Sequence, residues 1–287
     1  LHYLAMMVVM PVYGIQVCPF IEGLNPFEVI ANIDGLLLLM FLARRPLHAR
    51  TVESAPLIDQ ARRVFVLELV ILATAGLVLS AYNLVVHDFP LSSGLKVLVG
   101  FAALGFFASA DLALERERLI AGKVEREGLI LGPAGGFFPL TSKLALFAGA
   151  GISLLVGVFS LLVIKDLDWL VEVGSTIPLH EGRLSILKEF GFVLLVALPE
   201  TINVMRSFSR NLNMFLEREN GVLERVTAGH YDAYVPISSN DEFGVMASHT
   251  NEMIRRIRER TNELNLTRDA TILTLASMAF TASTTSG

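Results

Sequence analysis

Six long apolar stretches decide what this sequence can fold into. They cover residues 1–17, 27–43, 64–86, 95–114, 144–164 and 186–205. Each meets or approaches the roughly 20 apolar residues that a helix needs to cross a bilayer core about 30 Å thick. A soluble protein can hide one helix that is apolar all round. Six of them in 287 residues leave too few polar residues for an outer shell, so the stretches are predicted to be membrane spans. The balance of residues agrees: 53% are hydrophobic and 18% charged, against about a quarter charged in an average soluble domain.

Lys and Arg are distributed unevenly between the connections. Arg44, Arg45, Arg50, Arg62 and Arg63 lie between the second and third spans, and Arg116, Arg118, Lys123, Arg126 and Lys143 between the fourth and fifth. The alternate connections are poorer: none between Cys18 and Phe27, Lys96 after the third span, and Lys165, Arg183 and Lys188 after the fifth. Basic loops stay on the cytoplasmic side, which predicts six spans with both termini cytoplasmic. The chain opens Leu1-His2-Tyr3 without a basic stretch ahead of an apolar one, so no signal peptide is read. Cys18 is the single cysteine and excludes an internal disulfide framework. A net charge of −5, mixed in sign, gives no surface for nucleic acid.

The longest outer connection, residues 165–185, holds Asp166, Asp168, Trp169, Glu172, Pro178 and Glu181. About twenty residues cannot bury a core of their own, so no separate sensing domain is expected there, and Trp169 fits an anchor at the headgroup level. On the inner side, residues 115–128 read as a charged extension of the fourth span, and the Gly- and Pro-rich residues 132–136 break it. Those residues follow no strand and lack a Lys-Ser/Thr ending, so they are not a phosphate loop.

After the sixth span the sequence turns amphipathic. Met205, Phe208, Leu212, Phe215, Val222 and Val226 step by three, four or seven residues, with Glu219 at the skipped step. That spacing draws an apolar seam along one side of a helix, as in a coiled coil. A connector follows over residues 228–237, and a second helix opens at the polar run 238–242, which suits the free N–H groups of a helix start. Its seam is Phe243, Met246, Thr250, Met253 and Ile257. Neither short helix can bury its stripe alone. Two copies side by side give a parallel four-helix bundle in which the stripes meet, which predicts a homodimer.

Residues 206–260 resemble a HAMP domain, the linker of bacterial histidine kinases, chemoreceptors, cyclases and membrane phosphodiesterases. The resemblance rests on Ala228-Gly229, Val235-Pro236, Asp241-Glu242-Phe243-Gly244 and Asn251-Glu252-Met253-Ile254, set after an apolar span. It implies a signal-relay role for Gly229, Pro236, Asp241, Glu242, Gly244, Asn251 and Met253, with Pro236 ordering the connector and Glu242 joining the second helix to the base of the first. The proline usual near the start of the first helix is absent beside Arg206; Pro199 lies further upstream. Residues 264–279 are similar to the helix that leads into HD-GYP cyclic di-GMP phosphodiesterase domains. A six-span anchor followed by HAMP is also similar to some class III adenylate cyclases.

The expected architecture is therefore all-α: a four-helix membrane block (1–114), a cytoplasmic linker (115–142), spans five and six (143–205), the relay (206–260) and a signalling helix (261–287). Its expected partners are membrane lipid, a second copy and a C-terminal output domain or partner protein, and its expected place is the bacterial inner membrane. Asp34 and Glu68 are the best candidates among the acidic residues near membrane depth, a costly and often functional position, although pairing with Asn32, Asn83 or an Arg at the rim also accounts for them; Asp111, near the inner end of the fourth span, and Glu189, which with Glu200 flanks the sixth, are read as reaching the interface. The six histidines show no metal-ligand spacing. No catalytic constellation, cofactor site or metal site is expected. The competing reading is a small transporter or channel using Asp34 and Glu68, with the tail serving only to dimerise; such proteins carry broken helices and a polar path near the midplane.

Overall fold

The computed structural model describes residues 2–17, 23–129, 139–173 and 179–285. Among them the chain forms seven long helices and no strand: α1 (His2–Val17), α2 (Pro26–His48), α3 (Gln60–Val86), α4 (Leu91–Glu127), α5 (Leu140–Val173), α6 (Leu179–Thr227) and α7 (Glu242–Thr285). Cys18, Pro178 and the Gly- and Pro-rich residues 132–136 lie outside the described residues, as do the side chains of Glu172 and Glu181.

Local chemistry sets the helix ends. The Asn25 side chain accepts a hydrogen bond from the Phe27 N–H at 3.0 Å, and Pro26, which has no N–H to satisfy, takes the first helical position of α2. Pro46 near the far end of α2 is followed by a π-helical turn over Ala49–Glu53 and a 3-10 turn over Leu57–Asp59, after which α3 begins. Proline removes one backbone donor, and a widened turn is a usual accommodation. Between α3 and α4 the Asn83 carbonyl accepts from both His87 and Phe89. Asp88 there holds φ at 53°, a left-handed conformation that Asp tolerates better than most residues.

Among the described residues, four segments are long and apolar enough to cross a membrane: Pro26–Glu53, Leu57–Val86, Leu91–Glu127 and Leu140–Val171. α1 has 16 described residues, and the apolar stretch of α6 is interrupted by Glu189 and Glu200. The charged extension expected after the fourth span is helix, as α4 runs to Glu127. The connection expected over residues 165–185 needs correction. α5 continues through Lys165 to Val173 and α6 already starts at Leu179. The reason is that Lys165 is buried and paired inside the bundle, so it does not end the helix.

The chain divides into two compact units. The first, the membrane unit, comprises Leu1–Gly122 and Phe138–Asn211; the second, the relay unit, comprises Lys123–Phe137 and Leu212–Gly287. The membrane unit packs around Met10, Leu37, Leu72, Phe101 and Leu162, all 2% exposed or less. Helices surrounded by lipid gain little from apolar burial against one another and associate by close packing. Gly100 and Gly105 allow that closeness: a Cβ at Gly100 would fall 2.3 Å from the Tyr13 ring, and one at Gly105 would fall 3.0 Å from the Leu72 Cβ. A Cβ at Gly149, by contrast, would meet nothing within 4 Å.

Candidate functional site

In the relay unit, the end of α6 forms a buried stripe of Phe215, Glu219, Val222 and Val226, spaced four, three and four. The helix stops at Gly229, whose φ of +94° is a left-handed cap that favours glycine. The His230 N–H reaches back to the Arg225 carbonyl at 2.9 Å and the Gly229 N–H to Val226 at 3.0 Å. The connector then buries Val235, 1% exposed, and Ile237 on either side of half-buried Pro236.

Asn251 of α7 holds the connector by both of its backbone groups. Its Oδ1 accepts from the Val235 N–H at 2.8 Å and its Nδ2 donates to the Val235 carbonyl at 2.9 Å. Asp241 caps α7. Its Oδ1 accepts from the Phe243 N–H at 3.2 Å and from the Ser239 hydroxyl at 2.6 Å. Gly244 is required by a close approach, since a Cβ there would fall 2.0 Å from the Ser239 carbonyl oxygen. The rings of Phe215 and Phe243 pack at a tilt of 41° with centroids 4.4 Å apart. Below them the Thr250 hydroxyl donates to Glu219 Oε1, while the buried Glu219 Oε2 has no hydrogen-bond partner among the described residues. Burial raises the Tyr234 phenol above its usual pKa.

Most relay residues expected from sequence thus gather in one place: Gly229, Asp241, Gly244 and Asn251 shape the connector and its two ends. Glu242 is exposed in the first turn of α7. Of the seam residues, Phe215, Val222 and Val226 are buried within the chain. Leu212, Phe243 and Ile257 are half-buried, as is Phe208 in the membrane unit. On α7 the buried stripe is Ala247, Thr250 and Ile254, one residue on from Met246 and Met253, which are 39% and 44% exposed.

In the membrane unit, Glu68 is fully buried, accepts from the Tyr3 hydroxyl at 3.0 Å and pairs with Arg44 at the end of α2. Pairing with a rim arginine therefore accounts for it. Asp34 is half-buried, and its Oδ1 lacks a hydrogen-bond partner among the described residues.

Three polar clusters had no warning in the local sequence. His2 Nε2 lies 3.0 Å from Asp111 Oδ2. Arg118 of α4 donates to the Ser207 hydroxyl (2.9 Å), the Ser207 carbonyl (3.1 Å) and Asn211 Oδ1 (2.8 Å), and Asn211 donates back to Leu114 and Glu117 of α4. Lys165 and Asp166 of α5 meet Glu189 of α6, all three buried. Opposite charges at matching depth on consecutive antiparallel helices were the one available hint of this last cluster. Among the described residues no three His, Cys, Asp or Glu side chains gather closely enough to hold a metal ion.

Comparison with known proteins adds two findings. Residues 2–192 match the family MASE10. Over 273 residues, 95% of this chain, the sequence is 29% identical to a cyclic di-GMP phosphodiesterase of Vibrio cholerae serotype O1, of which the match covers 54%. The chain thus spans about half the length of that curated relative. No solved structure matches.

Proposed function

The chain belongs to the MASE10 family of membrane signalling proteins, and from that premise we propose that it is the receptor and relay portion of a protein whose C-terminal output hydrolyses cyclic di-GMP. Support for the output comes from the Vibrio relative, whose name carries that activity and which is about twice as long as this chain, and from the likeness of residues 264–279 to the helix leading into HD-GYP domains. In this reading six spans anchor the chain in the bacterial inner membrane with both termini cytoplasmic, and the relay is a HAMP domain that works as a homodimer.

The observation that carries the reading is the continuity of α6. One helix runs from Leu179 to Thr227, beginning in the apolar region and ending in the buried stripe that packs on α7. A helix is stiff enough to pass a rotation, tilt or shift along its length. Exposed Met246 and Met253 supply the apolar surface that a second copy covers. The relay bundle then has two packings of similar energy, and a change in the membrane unit biases one of them. No residue of the chain is assigned a catalytic role.

Cysteine pairs placed singly along residues 208–226 in full-length protein test this. Cross-links between copies that peak with heptad phase, and change together with the rate of cyclic di-GMP hydrolysis, are expected. Cross-links without phase, or ion flux through the reconstituted chain, would replace the receptor by the transporter.

A further inference from the structure

We propose that Asp166 and Glu189, clasped by Lys165, form a proton-binding site in the membrane unit, and that the proton they share is the ligand read by the α5–α6 hairpin. The link from this site to an output rests on the receptor reading above; the binding of the proton does not.

The argument begins with a count of charge. Lys165, Asp166 and Glu189 are 8%, 6% and 7% exposed. The Lys165 ammonium donates to both Glu189 oxygens at 2.5 and 2.6 Å, lies 3.6 Å from Asp166 Oδ1, and donates to the Gln16 carbonyl at the end of α1 at 3.2 Å. One cation thus faces two carboxylates, which leaves a net negative charge where water is excluded. Such a charge is strongly disfavoured unless something neutralises it.

A second observation says what does so. Asp166 Oδ2 is buried and has no hydrogen-bond partner among the described residues, and the Asp166 and Glu189 carboxyls converge on the same Lys165 ammonium. Two ionised carboxylates are acceptors only and repel each other; with one proton between them they form a hydrogen bond. That single proton satisfies the orphan oxygen and brings the cluster to neutrality. A metal ion fits less well, because the Lys165 ammonium already occupies the space against Glu189 and would repel it.

On the hairpin, Asp168, His180, Arg183 and Lys188 are exposed. From α1, among the described residues, the Gln16 carbonyl accepts from Lys165. At the start of α2 and the end of α3, Glu28 and His87 face one another at 3.7 Å. Loss of the proton restores the uncompensated charge, and the two carboxylates must then separate or admit water. Since Asp166 belongs to α5 and Glu189 to α6, that change moves α6 against α5 within the membrane unit.

The test uses the full chain in lipid nanodiscs, titrated between about pH 5 and about pH 9 and followed by infrared difference spectroscopy and thermal unfolding. Wild type is expected to show a protonated-carboxyl stretch that disappears as pH rises, with a Tm that falls by about 4 °C over the same interval. Asp166→Asn and Glu189→Gln each leave one carboxylate for one ammonium, so each should lack that band and hold its Tm. Lys165→Met keeps the carboxyl pair without its cation, and the band should persist to higher pH. A wild-type band indifferent to both carboxyl substitutions overturns the proposal. So do single variants that retain the wild-type dependence of Tm on pH. The cross-linking experiment reads the receptor hypothesis independently: a proton site with silent relay cross-links sinks the receptor alone, and responsive cross-links without the band sink this site alone.

Discussion

The Asn251 side chain and the Val235 backbone form a closed pair of hydrogen bonds, 2.8 Å from the Val235 N–H and 2.9 Å to its carbonyl, so one amide replaces the neighbouring strand that an extended connector would otherwise need. Val235 is 1% exposed, and water cannot easily substitute. Asn251→Ala should therefore cost about 1–3 kcal/mol, the penalty for leaving buried backbone groups unpaired. Amide hydrogen exchange at Val235 in the full chain checks this and should accelerate sharply. Asn251→Asp keeps the acceptor but sets a carboxylate against the Val235 carbonyl, so it should rescue nothing.

Gly244→Ala places a methyl group 2.0 Å from the Ser239 carbonyl oxygen. The first turn of α7 must then move, at a cost above about 1 kcal/mol. The Asp241 cap lies in the same turn, so exchange of the Phe243 and Val245 amides should rise together. Gly229→Ala strains a left-handed residue with open space around it, and should cost only about 1 kcal/mol.

Arg44 and Glu68 should behave as a unit. Arg44→Leu leaves a fully buried carboxylate that, among the described residues, faces only the Tyr3 hydroxyl, with an expected loss of about 3–5 kcal/mol. The double variant Arg44→Leu with Glu68→Leu removes both charges and should recover most of that loss. Thermal unfolding of the four proteins of the cycle in nanodiscs reads the coupling; additive single effects would mean that the pair is incidental.

Arg118 ties α4 to α6 through three hydrogen bonds. Arg118→Ala should loosen α6 around Ser207 and Asn211 by about 1.5–3 kcal/mol, the range for bonds made by a charged donor. Hydrogen exchange over residues 203–212 should rise while exchange in α3 stays unchanged.

Glu252 accepts from Arg255 and Arg256, and these bonds hold its carboxyl below the usual carboxylate pKa. A lowered folded-state pKa means that the stabilisation is present above the unfolded value of about 4.3 and is lost as pH falls through the folded one. Glu252→Gln should flatten that acid limb of the stability curve and leave the neutral region nearly unchanged.

Much of the fold was legible because its signals are periodic or punctuated. The second to fifth apolar stretches lie within α2 to α5, and the seam around Phe215 to Val226, ended by Gly229, marks the last turns of α6. The end of α5 was not legible, because hydropathy alone stops a span at its first charges, here Lys165 and Asp166. A charge whose partner lies 24 residues away on another helix looks like a loop residue until the two meet. The stripe of α7 that is buried within one chain, Ala247, Thr250 and Ile254, was legible only at Thr250, because the apolar pattern picks out the larger Met246 and Met253, which lie one residue earlier and are exposed within the single chain.

Between residues 258 and 278, α7 shows apolar and polar side chains outward alike, with Leu264, Leu266 and Leu273 each 71% exposed. A free-standing rod of this kind is barely stable in water, because an isolated helix has only its own backbone bonds to oppose fraying. On the receptor reading proposed above, whatever covers those leucines would also decide whether a twist reaching Ile254 is carried onward or dissipated as unwinding.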